Sequence, residues 1–90
     1  MDVVSKIKHL INCKINASHI EIIDESYKHR NHQKDTHGGH FKLLIISNDF
    51  NGVSLINRHR LIYDILDEMI KVEIHALSIK AITESENNIN

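Results

Sequence analysis

The sequence predicts a small α+β domain in which helices pack on one face of a three-stranded mixed sheet. The order of hydrophobic periodicities is helix, strand, strand, helix and strand, and the second helical stretch is long enough to form two helices. A helical crossover lets the second and third strands run parallel, while the first two strands can form an antiparallel pair. At 90 residues the chain suits one such domain, predicted over residues 1–83 and followed by a polar, flexible tail over residues 84–90.

The first half of the chain is predicted to form one helix and one strand. Asp2 can cap a helix over residues 2–13, in which apolar residues recur at helical spacing. Residues 18–25 alternate isoleucine with polar side chains, which favours a strand. Residues 26–39 are polar and end in Gly-Gly, which predicts a loop unusually long for a small domain.

The strongest strand signal in the chain lies over residues 40–47. One face of this strand carries three large apolar side chains: Phe41, Leu43 and Ile45. Residues 48–52 then form a predicted turn, in which Asn-Gly supplies a positive φ angle.

The second half is predicted to be helical over residues 54–71 and extended over residues 72–82. Ser54 is a plausible N-cap, and a break into two helices is expected near Asn57–Arg58. Apolar residues occupy both parities of the last strand, so the sequence leaves open which of its faces joins the core.

The composition fits a globular domain and excludes several classes of protein. Hydrophobic residues make up 41% and charged residues 26% of the chain, so wholesale disorder is not expected. The single cysteine excludes an internal disulfide framework and an all-cysteine metal site within one chain. The net charge of −1 gives no general attraction to nucleic acid or to anionic membranes.

The sequence carries neither a targeting signal nor a known catalytic motif. Its N-terminal residues do not resemble a secretory signal, and no apolar run approaches the roughly 20 residues that span a bilayer. With one free cysteine, the chain is predicted to be cytoplasmic and not membrane-bound. A Gly-x-Ser-x-Gly elbow, a phosphate-binding glycine loop and a His-Glu-x-x-His motif are all missing, so we do not expect an enzyme.

Histidine is the unusual feature of the composition, with eight residues in 90. Four of them form two His-x-x-His pairs within twelve residues: His29, His32, His37 and His40. Imidazole nitrogens suit zinc, copper, iron and nickel, so one interpretation is a set of metal or iron–sulfur ligands. The other is a polar loop that carries solvated histidines, since structural zinc sites usually include cysteine.

The tripeptide Arg58-His59-Arg60 is a second candidate site. One interpretation is a basic spot that contacts phosphate or an acidic partner. The other is structural, with a buried hydrogen bond from His59 and ion pairs from the two arginines to nearby carboxylates. Two arginines release few counterions, so they give little affinity for nucleic acid by themselves.

His75 and Cys13 are isolated candidates. His75 lies between Ile74 and Ala76 near the start of the last strand, a setting more typical of a core histidine than of a ligand. It gains a ligand role only if the His-rich loop lies close to it in the fold. Cys13 has no local cysteine partner, and its apolar flank predicts core packing.

Considered together, these residues resemble a known family. The pattern comprises Asp24-Glu25-Ser26, His40-Phe41, Ser47, Phe50, Gly52, Asn57-Arg58-His59-Arg60, Tyr63, Glu68 and His75-Ala76-Leu77. In this order and spacing, over about residues 18–83, they resemble the BolA-like proteins. The resemblance implies an α+β fold related to type II KH domains, which agrees with the order of elements predicted above.

The resemblance also implies a non-enzymatic role in iron–sulfur trafficking or in iron and stress signalling. BolA-like proteins pair with monothiol glutaredoxins, and the pair can share a 2Fe–2S cluster that the chain is expected to lack when alone. The implied ligands are the histidine of His-Ala-Leu, here His75, and a loop residue best matched by His29. His32 and His37 are reserve candidates for the loop ligand.

A second function follows from the same resemblance. Some bacterial members are described as DNA-binding transcriptional regulators, with the Arg-His-Arg region and the last strand implicated. Arg58 and Arg60 would then contact nucleic acid or a protein partner. The Gly-x-x-Gly loop with which KH domains bind nucleic acid is not evident. We expect structural roles for His40 and His59.

Overall fold

A computed structural model describes residues 1–26 and 38–88 of the chain. Most of the predicted loop over residues 26–39 therefore lies outside the described residues. The elements follow in the order α1 (Val3–Lys14), β1 (His19–Asp24), β2 (Gly39–Ile46), a 3-10 turn (Asn48–Phe50), α2 (Leu55–Ile65), α3 (Asp67–Ile70), β3 (Ile74–Ile82) and α4 (Glu84–Asn88).

The three strands form one mixed sheet in the order β1-β2-β3, which confirms the predicted fold class. β1 pairs with β2 antiparallel, and β2 pairs with β3 parallel through the helical crossover. The helices cover one face of the sheet, where their apolar side chains meet those of β2 and β3. The fully buried members of this core include Ile7, Ile11, Leu43, Ile45, Phe50, Ile62 and Leu66.

The helix caps lie where the sequence predicts them. The carboxylate of Asp2 accepts a hydrogen bond of 2.7 Å from the backbone N–H of Ser5, and this bond lowers the pKa of Asp2. Ser54 caps α2 in the same way by accepting from the N–H of Asn57 at 3.3 Å. The predicted turn is also confirmed, because Gly52 has a φ of +76°.

The predicted break near Asn57–Arg58 is wrong. The first turn of α2 is intact, because the N–H of Arg58 donates to the carbonyl of Ser54 at 3.0 Å. The helical stretch breaks instead at Leu66, which separates α2 from α3 with φ −99° and ψ 12°. Leu66 is fully buried, and the core contact that holds its side chain lies outside the reach of local sequence signals.

The helix α4 lies within the segment predicted to be a flexible tail, and here the structure differs from the prediction. Thr83 and Glu86 form a capping box at its start. The N–H of Glu86 donates to Thr83 Oγ1 at 3.1 Å, and the N–H of Thr83 donates to the Glu86 carboxylate at 2.8 Å. Within residues 1–26 and 38–88, no helix is long and apolar enough to cross a membrane.

Candidate functional site

His75 occupies a bulge at the start of β3. Gly39 and His40 are adjacent on β2, yet they pair with Ile74 and Ala76, so the register passes over His75. An extra residue of this kind bends a strand locally and redirects a side chain. Ile74 is buried, at 3% exposure, whereas His75 is exposed.

His75 lies beside His40. Their ring centroids are 5.1 Å apart, and the ring planes are tilted by 47°. Phe41 and Ile74 are both buried in the core, so by alternation the residue before Phe41 and the residue after Ile74 both lie on the opposite face of the sheet. The sequence interpretation treated His40 as structural and His75 as a ligand, and the structure brings the two imidazoles together.

The end of β1 holds the backbone of His40. The N–H of His40 donates to Ser26 Oγ at 3.0 Å, and its carbonyl accepts from the N–H of Glu25 at 2.7 Å. Ser26 is itself held by a hydrogen bond of 2.9 Å from its N–H to the carboxylate of Asp24. The Asp24-Glu25-Ser26 motif therefore has a structural reason, which is to position the first residues of β2.

Two glycines at the start of β2 allow its backbone to approach the backbone of residues 73–75 closely. Gly38 has a φ of +83°, and a Cβ on it would lie 3.0 Å from the carbonyl carbon and oxygen of Glu73 and 3.1 Å from the backbone nitrogen of His75. The N–H of Gly39 donates to the same Glu73 carbonyl at 3.0 Å. The Glu73 carboxylate pairs with Lys6 of α1 at 2.7 Å, which ties this corner to the first helix.

The loop histidines His29, His32 and His37 lie outside the described residues. Among the residues that are described, no group of three or more His, Cys, Asp or Glu side chains is arranged to hold a metal ion. What this corner of the described structure offers is a pair of imidazoles, His40 and His75.

Arg58 is buried and bound within the chain. Its side chain is 6% exposed, and its Nε donates to the carbonyl of Val53 at 2.8 Å. Its Nη1 donates to the carbonyl of Ala81 at 3.0 Å and to the Glu86 carboxylate at 2.7 Å. The guanidinium also lies 5.7 Å from the ring centroid of Phe50. These contacts match the structural interpretation of this arginine and leave it unavailable to a phosphate.

The partner of Arg58 is a residue that the sequence interpretation missed. The guanidinium of Arg58, with help from the N–H of Thr83, lowers the pKa of Glu86 from its usual value of 4.5 to about 2. The signal that could have found Glu86 is the Thr-x-x-Glu spacing of a capping box at residues 83–86.

His59 and Arg60 lie on the exposed side of α2. The expected buried hydrogen bond of His59 is wrong, because Arg58 and Ile62 are the residues that face the core and His59 lies about 100° around the helix from Arg58. Arg60 is therefore the arginine of the tripeptide that remains accessible to a partner.

Cys13 is exposed, so its predicted core packing is wrong. Its Sγ lies 3.7 Å from Nε2 of His9, one turn earlier on the side of α1 turned away from the buried stripe. It is also remote from the imidazole pair. Lys6 pairs with Glu73 near His75, and Cys13 lies seven residues further along α1, about 10 Å of helix axis.

Comparison with known proteins agrees with the resemblance read from the sequence. The family model described as BolA-like protein matches residues 11–86. The chain belongs to the BolA-like family. BolA1 from Arabidopsis thaliana has a solved structure that matches with a TM-score of 0.83 and 34% identity, over 96% of each chain.

Two curated BolA-like relatives illustrate the range of names in the family. The "DNA-binding transcriptional regulator BolA" of Escherichia coli is 31% identical over 96% of this chain and 80% of its own length. The "SufE-like protein 1, chloroplastic/mitochondrial" of Arabidopsis thaliana is 39% identical over 90% of this chain. The chain spans only 24% of the length of that second relative.

Proposed function

We propose that this BolA-like protein is a non-enzymatic partner of a monothiol glutaredoxin, with which it shares a 2Fe–2S cluster in iron–sulfur trafficking or iron and stress signalling. The observation that carries the proposal is the exposed His75, which a bulge presents at the edge of the sheet in a chain that belongs to the family. His75 is the proposed ligand from the described residues, and His29 is the proposed ligand from the loop, with His32 and His37 in reserve.

The donor set of the chain fits a shared cluster better than a self-contained one. Imidazole nitrogen is a suitable ligand for iron, and two histidines can replace two cysteines on one iron of a 2Fe–2S centre. The remaining ligands are thiolates, and the one cysteine of this chain lies on the far part of α1, away from His75. A partner that supplies thiolate sulfur is therefore part of the proposal.

The imidazoles also give the proposed site two chemical properties. When bound, the cluster supplies redox-active iron, and neutral histidine ligands raise its potential relative to an all-cysteine set. A proton competes with iron for the imidazole nitrogen, so retention is expected to fall on acidification. The exposure of His75 leaves its ring accessible to a partner without prior unfolding of the sheet.

The experiment that tests this function is a titration of the chain into a cluster-loaded monothiol glutaredoxin, followed by visible absorption and circular dichroism. We expect a changed spectrum with the natural chain and loss of that change with His75→Ala. His19→Ala is the matched control, because His19 is also an exposed histidine near the start of an edge strand. An unchanged spectrum with the natural chain, or equal behaviour of the two variants, would refute the proposal.

A second candidate function is DNA-binding regulation, which the name of the Escherichia coli relative favours. The geometry limits which residues can serve it, because Arg58 is bound internally and Arg60 is exposed. A salt titration of promoter DNA binding tests this function. Specific binding that Arg60→Ala weakens would support it, whereas weak and sequence-independent binding would contradict it.

A further inference from the structure

We propose that His40 and His75 form a binding site for a single divalent transition-metal ion, with Zn²⁺ as the probe, in the chain without any partner. The juxtaposition that carries this inference is the contact of the two rings across the parallel pair β2 and β3, with centroids 5.1 Å apart. The site goes beyond the proposed cluster function, because it requires neither a glutaredoxin nor the loop over residues 26–39.

The separation of the rings matches that of two imidazoles on one metal ion. At Zn–N distances of about 2.0–2.1 Å and a tetrahedral angle, the centres of two bound imidazole rings lie about 5 Å apart. The observed 5.1 Å agrees with this value. A site of this kind uses two protein nitrogens and leaves the other positions to water, which suits the exposure of His75.

The backbones that carry the rings are held in place before any ion binds. His40 is fixed on both sides of its peptide by Ser26 and Glu25, at 3.0 and 2.7 Å. His75 follows Ile74, which is anchored in the core at 3% exposure, and precedes Ala76, the register partner of His40. Because the two positions are fixed, binding orders only two short side chains and costs little conformational entropy.

The two rings meet at the bulge in β3. Gly39 pairs with Ile74, and the residues that follow them, His40 and His75, both lie on the face of the sheet opposite the core. The extra residue in β3 interrupts the regular pairing of β2 with β3 at this point, and β-bulges are often found next to functional sites. The imidazole pair is thus a product of the tertiary structure, because His40 and His75 lie on different strands and do not belong to the same His-x-x-His motif.

The test must separate this pair from the other potential ligands of the chain. The background variant carries His29→Asn, His32→Asn, His37→Asn and Cys13→Ser, which removes the loop imidazoles and the His9–Cys13 pair while both proposed ligands stay. Calorimetric titration with ZnCl₂ near neutral pH is expected to give one bound ion per chain. Adding His75→Ala is expected to weaken binding at least tenfold, because a single imidazole cannot chelate.

Two controls keep the result interpretable. His19→Ala in the same background removes an exposed histidine from β1 and is expected to leave Zn²⁺ binding unchanged. In the natural chain, NMR of the imidazole nitrogens reports on each ring directly, without any substitution that affects folding. Zn²⁺ is expected to shift the signals of both His40 and His75.

The proposal is overturned if the background variant binds Zn²⁺ no more tightly than its His75→Ala derivative. It is also overturned if the His40 nitrogens do not respond while Zn²⁺ is bound elsewhere, which would leave the two rings as a packing contact only. Neither outcome involves glutaredoxin, so a failure here is distinct from a failure of the proposed cluster function.

Discussion

Replacement of Arg58 by alanine is expected to destabilise the fold severely, although the residue was a candidate for contacts with DNA. The side chain is 6% exposed and donates hydrogen bonds to two backbone carbonyls, those of Val53 and Ala81. Each carbonyl left unsatisfied costs about 1–3 kcal/mol, and loss of the contact with the Phe50 ring costs about 0.5–1 kcal/mol. The ion pair with Glu86 stays outside this sum, because solvent screens a carboxylate whose side chain is 41% exposed.

The expected loss is about 2.5–7 kcal/mol, and even a loss near its lower end, about 3 kcal/mol, is a large share of the roughly 5–15 kcal/mol by which small domains are stable. Urea denaturation followed by far-ultraviolet circular dichroism measures it. With a slope of about 1 kcal/mol per molar urea, the midpoint falls by about 3 M or more. Arg58→Lys keeps the charge and the apolar stem but loses the planar fork, so its midpoint is expected to lie between those of the natural chain and of Arg58→Ala.

Arg60→Ala is the matched control for this prediction. It removes the same type of side chain from the same helix, but from an exposed position, so a change within about 0.5 kcal/mol is expected. If the alanine variants of Arg58 and Arg60 unfold at the same urea concentration, the assignment of Arg58 as a structural residue is refuted.

Three further predictions follow from the same contacts. The pKa of Glu86 is lowered to about 2, so the stability that its carboxylate contributes is present above the usual pKa of 4.5 and is lost as the pH falls towards 2. The difference in urea midpoint between the natural chain and Glu86→Gln is therefore expected to shrink on acidification. Gly38→Ala is expected to cost more stability than Gly52→Ala. Both glycines have positive φ, but only at Gly38 would the added Cβ lie 3.0 Å from backbone atoms, those of the Glu73 carbonyl. Equal thermal midpoints of the two variants would contradict this. Ile62→Ala in the core is expected to cost about 2–5 kcal/mol, against a small change for the exposed Ile56→Ala on the same helix, as measured by urea denaturation.

Several parts of the fold could be predicted because their signals are local. The caps at Asp2 and Ser54 depend on one side-chain oxygen and the next turn of backbone, and both form as predicted. The core face of β2 follows from simple alternation, and Phe41, the first of its three apolar residues, is buried. Turn, cap and alternation signals act over a few residues, so the sequence contains them completely.

Other parts could not be predicted because distant residues decide them. The break of the second helical stretch lies at Leu66, which packs in the core, and not near Asn57–Arg58. Arg58 is held by Glu86, 28 residues later, so its role depends on a helix that was expected to be a flexible tail. For the candidate site, the family pattern identified His75, but nothing in that pattern paired it with His40.

By itself, the sequence determined the order of elements, the mixed sheet and the BolA-like family, because periodicity and motif spacing are written along the chain. Only the tertiary structure decided which face of β3 joins the core. Ile74 is buried before the bulge and Ala81 after it, and these two residues have opposite parity. One extra residue against β2 exchanges the faces, and His75 lies beside His40 at this point. The physical reason is that a bulge is set by how two strands fit together, which neither strand encodes alone.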